Sequence, residues 1–352
     1  MKRLVAILIL TAAASCLAVE KVRLLEPSGD PKTSYSTRCC IVDAPGGALL
    51  ATIGSDIRRS TDDGRTWSSV VTQDRRSFSR NLLRLGDGRL MKVWSISCPN
   101  VLTNRLGAEN FYVSFSSDEG RTWGGKRTVL ERNERVYLMN DRPIRMKSGR
   151  LVIPFSKHPN HLLAQKLESC GWAGACYSDD DGRTWTEGTW YEPKVADQLC
   201  EPAVFERRDG SLKMIARTGR GHLYELVSAD GGATWGGERA TTLRQPCAPF
   251  AVRKDPRTGW VFVVWNNTFP APRFQFPRTP FCLGVSKDDG ETWSLVKELG
   301  ANPEGSYGYP TIHFTKDAVL VAHYEDATTR NFRVETQTLE LEIISRKELT
   351  GK

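Results

Sequence analysis

Ser60-Thr61-Asp62-Asp63-Gly64-Arg65-Thr66-Trp67 is one of five copies of the pattern Ser-x-Asp-x-Gly-x-Thr-Trp; the others occupy residues 116–123, 178–185, 228–235 and 286–293. Their starts lie 56, 62, 50 and 58 residues apart. Self-similarity at a period of about 50 residues marks a propeller or another repeat array. The box itself is turn chemistry. An Asp two residues after Ser accepts hydrogen bonds from nearby backbone N–H groups, and the Gly supplies a positive φ. Thr-Trp then resumes an extended strand, with the indole covering the turn. Strand-like runs such as Phe111-Tyr112-Val113-Ser114-Phe115 and Cys282-Leu283-Gly284-Val285 precede four of the boxes. Each box therefore reads as a structural hairpin turn and carries no chemistry of its own.

A second repeat counts the units independently. Gly-x-Leu runs open apolar strands at Gly47, Gly88, Gly149 and Gly210, with looser versions at Gly259-Trp260-Val261 and Asp317-Ala318-Val319. Six units of four antiparallel strands need about 24 short strands, which roughly 330 residues accommodate. The expected fold is all-β: a six-bladed β-propeller with five box turns, in a single domain over residues 19–352. No linker interrupts the repeats, and no amphipathic helical pattern competes with them.

Residues 1–18 read as an export signal, with Lys2-Arg3, an apolar run over residues 4–10 and small residues after it. Cys16 sits in a weak lipoprotein box, so the expected location is periplasmic or secreted, with lipid anchoring through Cys16 as an option. No other stretch is apolar enough to span a membrane. Eight further cysteines remain, at positions 39, 40, 98, 170, 176, 200, 247 and 282, and an exported chain permits disulfides among them. His158 and His161 lack zinc spacing, and no metal or other cofactor is called for. The net charge of +8 is scattered, so a solvated surface with a preference for anionic ligands is expected, with no nucleic-acid partner. The chain reads as a monomer.

This arrangement of boxes resembles the sialidases (neuraminidases) over nearly the whole chain after residue 18. The resemblance implies three arginines that hold a substrate carboxylate bidentately from different blades. Arg38 stands in Thr37-Arg38-Cys39-Cys40, where the family has a Phe-Arg-Ile-Pro motif whose Ile and Pro are absent here. Arg217 ends the Gly-Ser-Leu strand that starts at Gly210, and Arg278 precedes the strand entering the last box. The family's nucleophile is a Tyr in a Gly-Tyr dipeptide after the last box, which here makes Tyr309 the nucleophile and Tyr307 a reserve. Phenol suits an anomeric carbon that carries a carboxylate, because a carboxylate nucleophile would approach against like charge. At a pKa of about 10 it needs a neighbouring base. That partner is Glu201, just ahead of the strand that delivers Arg217. The family's acid/base Asp has only Asp56 as its counterpart, in a shortened loop; Asp141 is the alternative, with Arg142 beside it as a further ligand contact.

The resemblance thus implies an exo-acting retaining glycoside hydrolase that removes terminal sialic acid from glycoconjugates. Hydrolysis of another acidic sugar (nonulosonic or uronic acid) and non-catalytic binding of acidic glycans are the alternatives. In each case the partner is an acidic glycan.

Overall fold

A computed structural model describes residues 19–27, 38–73, 81–99, 106–132, 135–158, 171–268, 277–326 and 337–350. The signal reading, Cys16, Cys170, His161 and the side chains of Cys98 and His158 lie outside the described residues.

Six antiparallel sheets form the chain, in sequence order, as the blades of a propeller. The strands nearest the axis are Cys40–Asp43, Asn81–Arg84, Arg135–Tyr137 with Ile144–Arg145, Cys200–Glu206, Ala251–Lys254 and Ser306–Phe314. Blades 1, 2, 4 and 5 each use four consecutive strands. Blade 3 has its inner strand broken in two, and both pieces pair with Leu151–His158. Blade 6 takes its outermost strand from the other end of the chain. Val19–Leu25 pairs with Thr338–Ser345, starting at Val19 opposite Ile344. The strand Val19–Leu25 thereby closes the ring by joining the two ends of the chain in one blade.

The core is divided into six apolar clusters, one between each pair of neighbouring blades. The boxes sit against these seams. In the first, Ser60 Oγ accepts from Gly64 N at 2.9 Å and donates to Asp62 Oδ1 at 2.8 Å. Asp62 Oδ1 also accepts from Thr66 N at 2.9 Å, and Trp67 Nε1 donates to Gly64 O at 2.8 Å. Gly64 has φ 91°, and a side chain there would meet Leu341 of blade 6 at 3.0 Å. Gly120 likewise abuts Ile57 of blade 1, and Gly290 abuts Phe205 of blade 4. The box glycine is thus required twice, by its backbone angle and by the blade before it.

Disulfides were permitted by the cysteine count. Cys39, Cys40, Cys176, Cys200, Cys247 and Cys282 are instead buried free thiols. Cys39, Cys40, Cys176 and Cys282 lie in the apolar clusters between blades, where packing already supplies the stability and they behave as small hydrophobes. Among the described residues no helix is long and apolar enough to cross a membrane.

Candidate active site

Every inner strand begins at one end of the axis, and the candidate residues gather there. Seven described non-glycine residues have positive φ. Four are the fourth residues of boxes (Asp63, Glu119, Asp181 and Asp289), and the other three are Asp141 (57°), Glu201 (50°) and Tyr309 (47°). These three occupy equivalent places, at the heads of the inner strands of blades 3, 4 and 6. Two of the strands bulge there: the register slips between Cys200 and Ala203 in one, and between Gly308 and Thr311 in the other. A bulge re-aims a side chain that regular pleating would direct elsewhere. A left-handed non-glycine residue costs about 1–3 kcal/mol, and such strain concentrates at functional sites.

Arg217 ends the second strand of blade 4 directly across from Cys200, beside Glu201. Its Nη1 donates to Glu201 Oε2 at 2.8 Å. Nη2 donates to Cys247 O at 2.6 Å, and Nε to Cys247 Sγ at 3.2 Å. Burial pushes the Glu201 carboxyl up, but the charge and hydrogen bond of Arg217, with the charges of Arg38 and Arg142, hold it below its ordinary value. Burial also opposes the charge on Arg217, yet Glu201, Cys247 and Tyr309 raise its pKa well above the usual value. Three guanidinia around one carboxylate leave a positive surplus, which suits an anionic ligand.

Tyr309 is half-buried, whereas Tyr307 is buried and stacks on Phe281 at 5.6 Å between centroids. The reserve tyrosine therefore belongs to the core. The Arg38 guanidinium lies 3.8 Å from the centre of the Tyr309 ring, a cation–π contact. Arg278 Nη1 donates to Tyr324 Oη at 2.6 Å, and the Tyr324 ring lies 5.9 Å from that of Tyr309. Arg38, Arg217, Arg278, Glu201 and Tyr309 are therefore gathered at one end of the axis. No hydrogen bond joins Glu201 to Tyr309; the carboxylate is paired with Arg217 instead.

The break in blade 3 carries a cross-axis strut. Asn140 Nδ2 donates to Cys39 O at 3.0 Å and to Tyr309 O at 3.3 Å. Asp141 accepts from Arg253 and Thr311 side chains and from Cys40 Sγ at 3.5 Å. The Arg142 backbone N donates to Asn81 Oδ1 at 3.0 Å and its Nη2 to Phe250 O at 2.8 Å. Burial pulls the Arg142 guanidinium down to about 10, against the charges of Glu201 and Asp141. Residues 140–142 thus tie blade 3 to blades 1, 2, 5 and 6. The ligand-facing carboxylate expected of Asp141 is taken up inside the axis.

Asp56 does not join the cluster. It begins the strand Asp56–Ser60, third from the axis, after a two-residue turn too short to reach inward. Its carboxylate accepts from Thr72 Oγ1 at 2.8 Å and faces Arg58 at 3.4 Å. The sequence reading missed Cys247, Asn140, Arg253 and Tyr324. Only Tyr324 left a local signal, in the glycine opposite it: a side chain at Gly308 would stand 2.9 Å from the Tyr324 ring.

Residues 82–321 match the BNR repeat-like domain. A sialidase from Micromonospora viridifaciens is 25% identical over 337 residues, covering 86% of this chain and 48% of the relative. A sialidase from Bacteroides fragilis is 23% identical over 248 residues, covering 67% and 42%. The chain thus spans about half or less of the length of these relatives. Among solved structures, a Dyadobacter fermentans protein of unknown function superposes with a TM-score of 0.67 at 16% identity, covering 93% of this chain and 99% of that one. Trypanosoma rangeli sialidase superposes at 0.66 with 16% identity, covering 94% and 60%. Likeness at such identities establishes the fold. The BNR match takes in more than half of the sequence, and by it the protein belongs to the BNR repeat-like family, with sialidases among its relatives.

Proposed function

We propose that the protein is a sialidase-type retaining glycoside hydrolase acting on terminal sialic acid. The observation that carries this reading is that Glu201 and Tyr309 both stand at strained, bulged places on inner strands, the one beside Arg217 and the other beside Arg38. Packing alone has no need of either distortion. Arg38, Arg217 and Arg278 would hold the substrate carboxylate; charge-assisted hydrogen bonds of this kind contribute roughly 1.5–3 kcal/mol each. As the substrate carboxylate takes over Arg217, Glu201 is released to accept the phenol proton. Tyr309 Oη then forms a bond to the anomeric carbon as the bond to the aglycone oxygen breaks and the aglycone leaves as its oxyanion. Water later displaces the tyrosine, which recovers its proton from Glu201, and the proton lost by the water neutralises the aglycone. Asp56 stands too far out to protonate a leaving oxygen, and Asp141 is committed to Arg253 and Thr311. The reading therefore favours aglycones that depart readily, and export through residues 1–18 belongs to it.

A second reading, binding of acidic glycans without turnover, draws support from the direct Glu201–Arg217 pair, which occupies the base. The test is release of 4-methylumbelliferone from its α-sialoside, because an aryl group leaves without much help from an acid. Turnover reduced about 100-fold or more in Tyr309→Phe is expected, within the range that positioned proton transfer and an activated nucleophile supply. Turnover unchanged by the substitution refutes the nucleophile. No turnover by the parent, with sialoside binding retained, transfers the case to the binding reading.

A further inference from the structure

The inner strands end, at the opposite end of the axis, in a cavity of about 620 Å³ to which all six blades contribute. Glu201 and Glu206 mark the two ends on a single strand. Five residues at about 3.3 Å each place the far mouth of this cavity about 16 Å from Glu201. Its walls are partly apolar, with Val42, Ile144 and Phe314, whereas its mouth is charged.

The charge is unbalanced. Six cationic side chains line the cavity (Arg84, Arg145, Lys147, Arg208, Arg253 and Lys254), against three carboxylates and His313. The carboxylates are already engaged. Asp255 is held by Arg346 through two bonds of 2.6 and 2.9 Å, Asp43 lies 3.1 Å from His313, and Glu206 accepts the Lys147 backbone N–H at 2.8 Å. Arg253 is consumed by Asp141, and Lys254 shares Asp289 at 3.2 Å. Arg208 rests on a backbone carbonyl, Lys287 O at 2.6 Å, which satisfies a donor without cancelling charge, whereas Arg84 rests on Asp43 O at 2.7 Å and faces Glu119 at 4.0 Å. Burial also pulls Arg84 below its ordinary value in spite of Glu119 and Asp43. Among the described residues, the side-chain nitrogens of Arg145 and Lys147 meet no acceptor.

Arg145 is also seated. Its guanidinium lies against the backbone of Gly86: a Cβ built there would fall 2.6 Å from Nη2 and 2.9 Å from Cζ. A second glycine, Gly149, would come within 3.4 Å of the same nitrogen. Two hairpins from neighbouring blades therefore leave room for this one head group at the mouth of an apolar-walled cavity.

From this geometry we propose a second, non-catalytic site at the far mouth of the axial channel. It takes a small organic oxyanion, a carboxylate or phosphate monoester on an apolar body, with the oxyanion at Arg145 and Lys147 and the body in the channel. The site is independent of the hydrolase reading, since neither Arg145 nor Lys147 belongs to the candidate active site. Calorimetric titration of the full chain with hexanoate, hexyl phosphate and inorganic phosphate tests it. Saturable binding of at least one hexyl probe is expected, and which one binds tells carboxylate from phosphate. The double variant Arg145→Ala/Lys147→Ala should weaken it tenfold or more. Gly86→Ala keeps every charge and displaces only the flexible Arg145 head, so a loss of about threefold or more is expected from that variant too. Arg38→Ala, at the other end of the axis, should leave the affinity within twofold. Loss that follows Arg38→Ala, affinity equal to the parent's in Gly86→Ala, or no saturable binding of any probe overturns the proposal. Inorganic phosphate binding as tightly as the hexyl probes overturns the part assigned to the apolar body.

Discussion

Replacing Arg217 by Met keeps the length of the side chain and removes its charge, so the loss can be worked from three contacts. At 2.8 Å from Glu201 the Coulomb attraction is about 6 kcal/mol at an effective dielectric of about 20, much of it offset by the desolvation both groups already bear. Removing one partner of such a buried pair costs about 3–5 kcal/mol, because the other charge is left without compensation. The Cys247 carbonyl loses its 2.6 Å donor, about 1 kcal/mol more. The single variant should therefore lose about 4–6 kcal/mol, read from the urea midpoint at constant m. Glu201→Gln alone should lose about 3 kcal/mol, because it removes the negative charge that Arg217, Arg38 and Arg142 share. The double variant should cost no more than the worse single, a coupling of about 3 kcal/mol. The pH dependence carries a further sign. In the parent, Glu201 lies below its ordinary value, so its contribution is present above the unfolded pKa of about 4.3 and disappears as pH falls through the lower folded value. In Arg217→Met the remaining burial favours the protonated form, so the penalty is greatest near pH 7 and relaxes toward pH 4. The gap between parent and variant should narrow on acidification. Costs that add to within about 0.5 kcal/mol, or a gap independent of pH, would refute the claim that this pair organises the site.

Two further outcomes follow from the boxes and from the Tyr-Gly-Tyr segment. Slight burial opposes the charge on Asp180, but hydrogen bonds from Thr184 N, Thr184 Oγ1 and Ser178 Oγ hold its carboxyl down to about 2. Asp180→Ala should cost about 1 kcal/mol after solvent screening, and the five boxes together should make stability fall between about pH 4 and pH 2, followed by circular dichroism melts. Gly308→Ala drives a Cβ to 2.9 Å from the Tyr324 ring. It should cost about 1–3 kcal/mol and, by shifting the partner of Arg278, raise KM for the sialoside more than it lowers kcat.

What could be read in the sequence was local. A box writes its whole turn within eight residues, because Ser, Asp, Gly and Thr satisfy one another, and five boxes together with six strand openings count the blades without any long-range knowledge. Arg217 was legible because it ends a strand whose start is marked by Gly210. The supports were not legible, because their partners are remote. Asn140 meets Tyr309 169 residues away, Asp141 meets Arg253 112 away, and Arg217 meets Cys247 30 away. Asp56 was placed by counting along a loop, but a two-residue turn fixes distance from the axis more firmly than order along the chain does. The cysteines were read from the compartment expected for them, while in the fold Cys39, Cys40, Cys176 and Cys282 fill apolar space between blades.

The strut at residues 140–142 explains how strained strand heads persist. A propeller closed only at its rim, by Val19–Leu25 on blade 6, would leave the inner strands free to relax along the axis. At each bulge a relaxation to ordinary φ would recover about 1–3 kcal/mol and swing Glu201 or Tyr309 out of the cluster. Asn140 opposes this on blade 6 by holding the carbonyls of Tyr309 and Pro310, at 3.3 Å each. Asp141 holds the next turn of the same strand through Thr311 and through Ile312 N at 3.4 Å. Blade 4 is held differently: Ser156, on the second strand of blade 3, accepts from Glu201 N at 3.2 Å. The strain at Glu201 and Tyr309 is thus opposed by neighbours from blade 3 that bind the backbone and leave both side chains to the site. Asp141 shares their distorted backbone but turns its carboxylate inward, and that is why one of three equivalent positions serves as the support for the others.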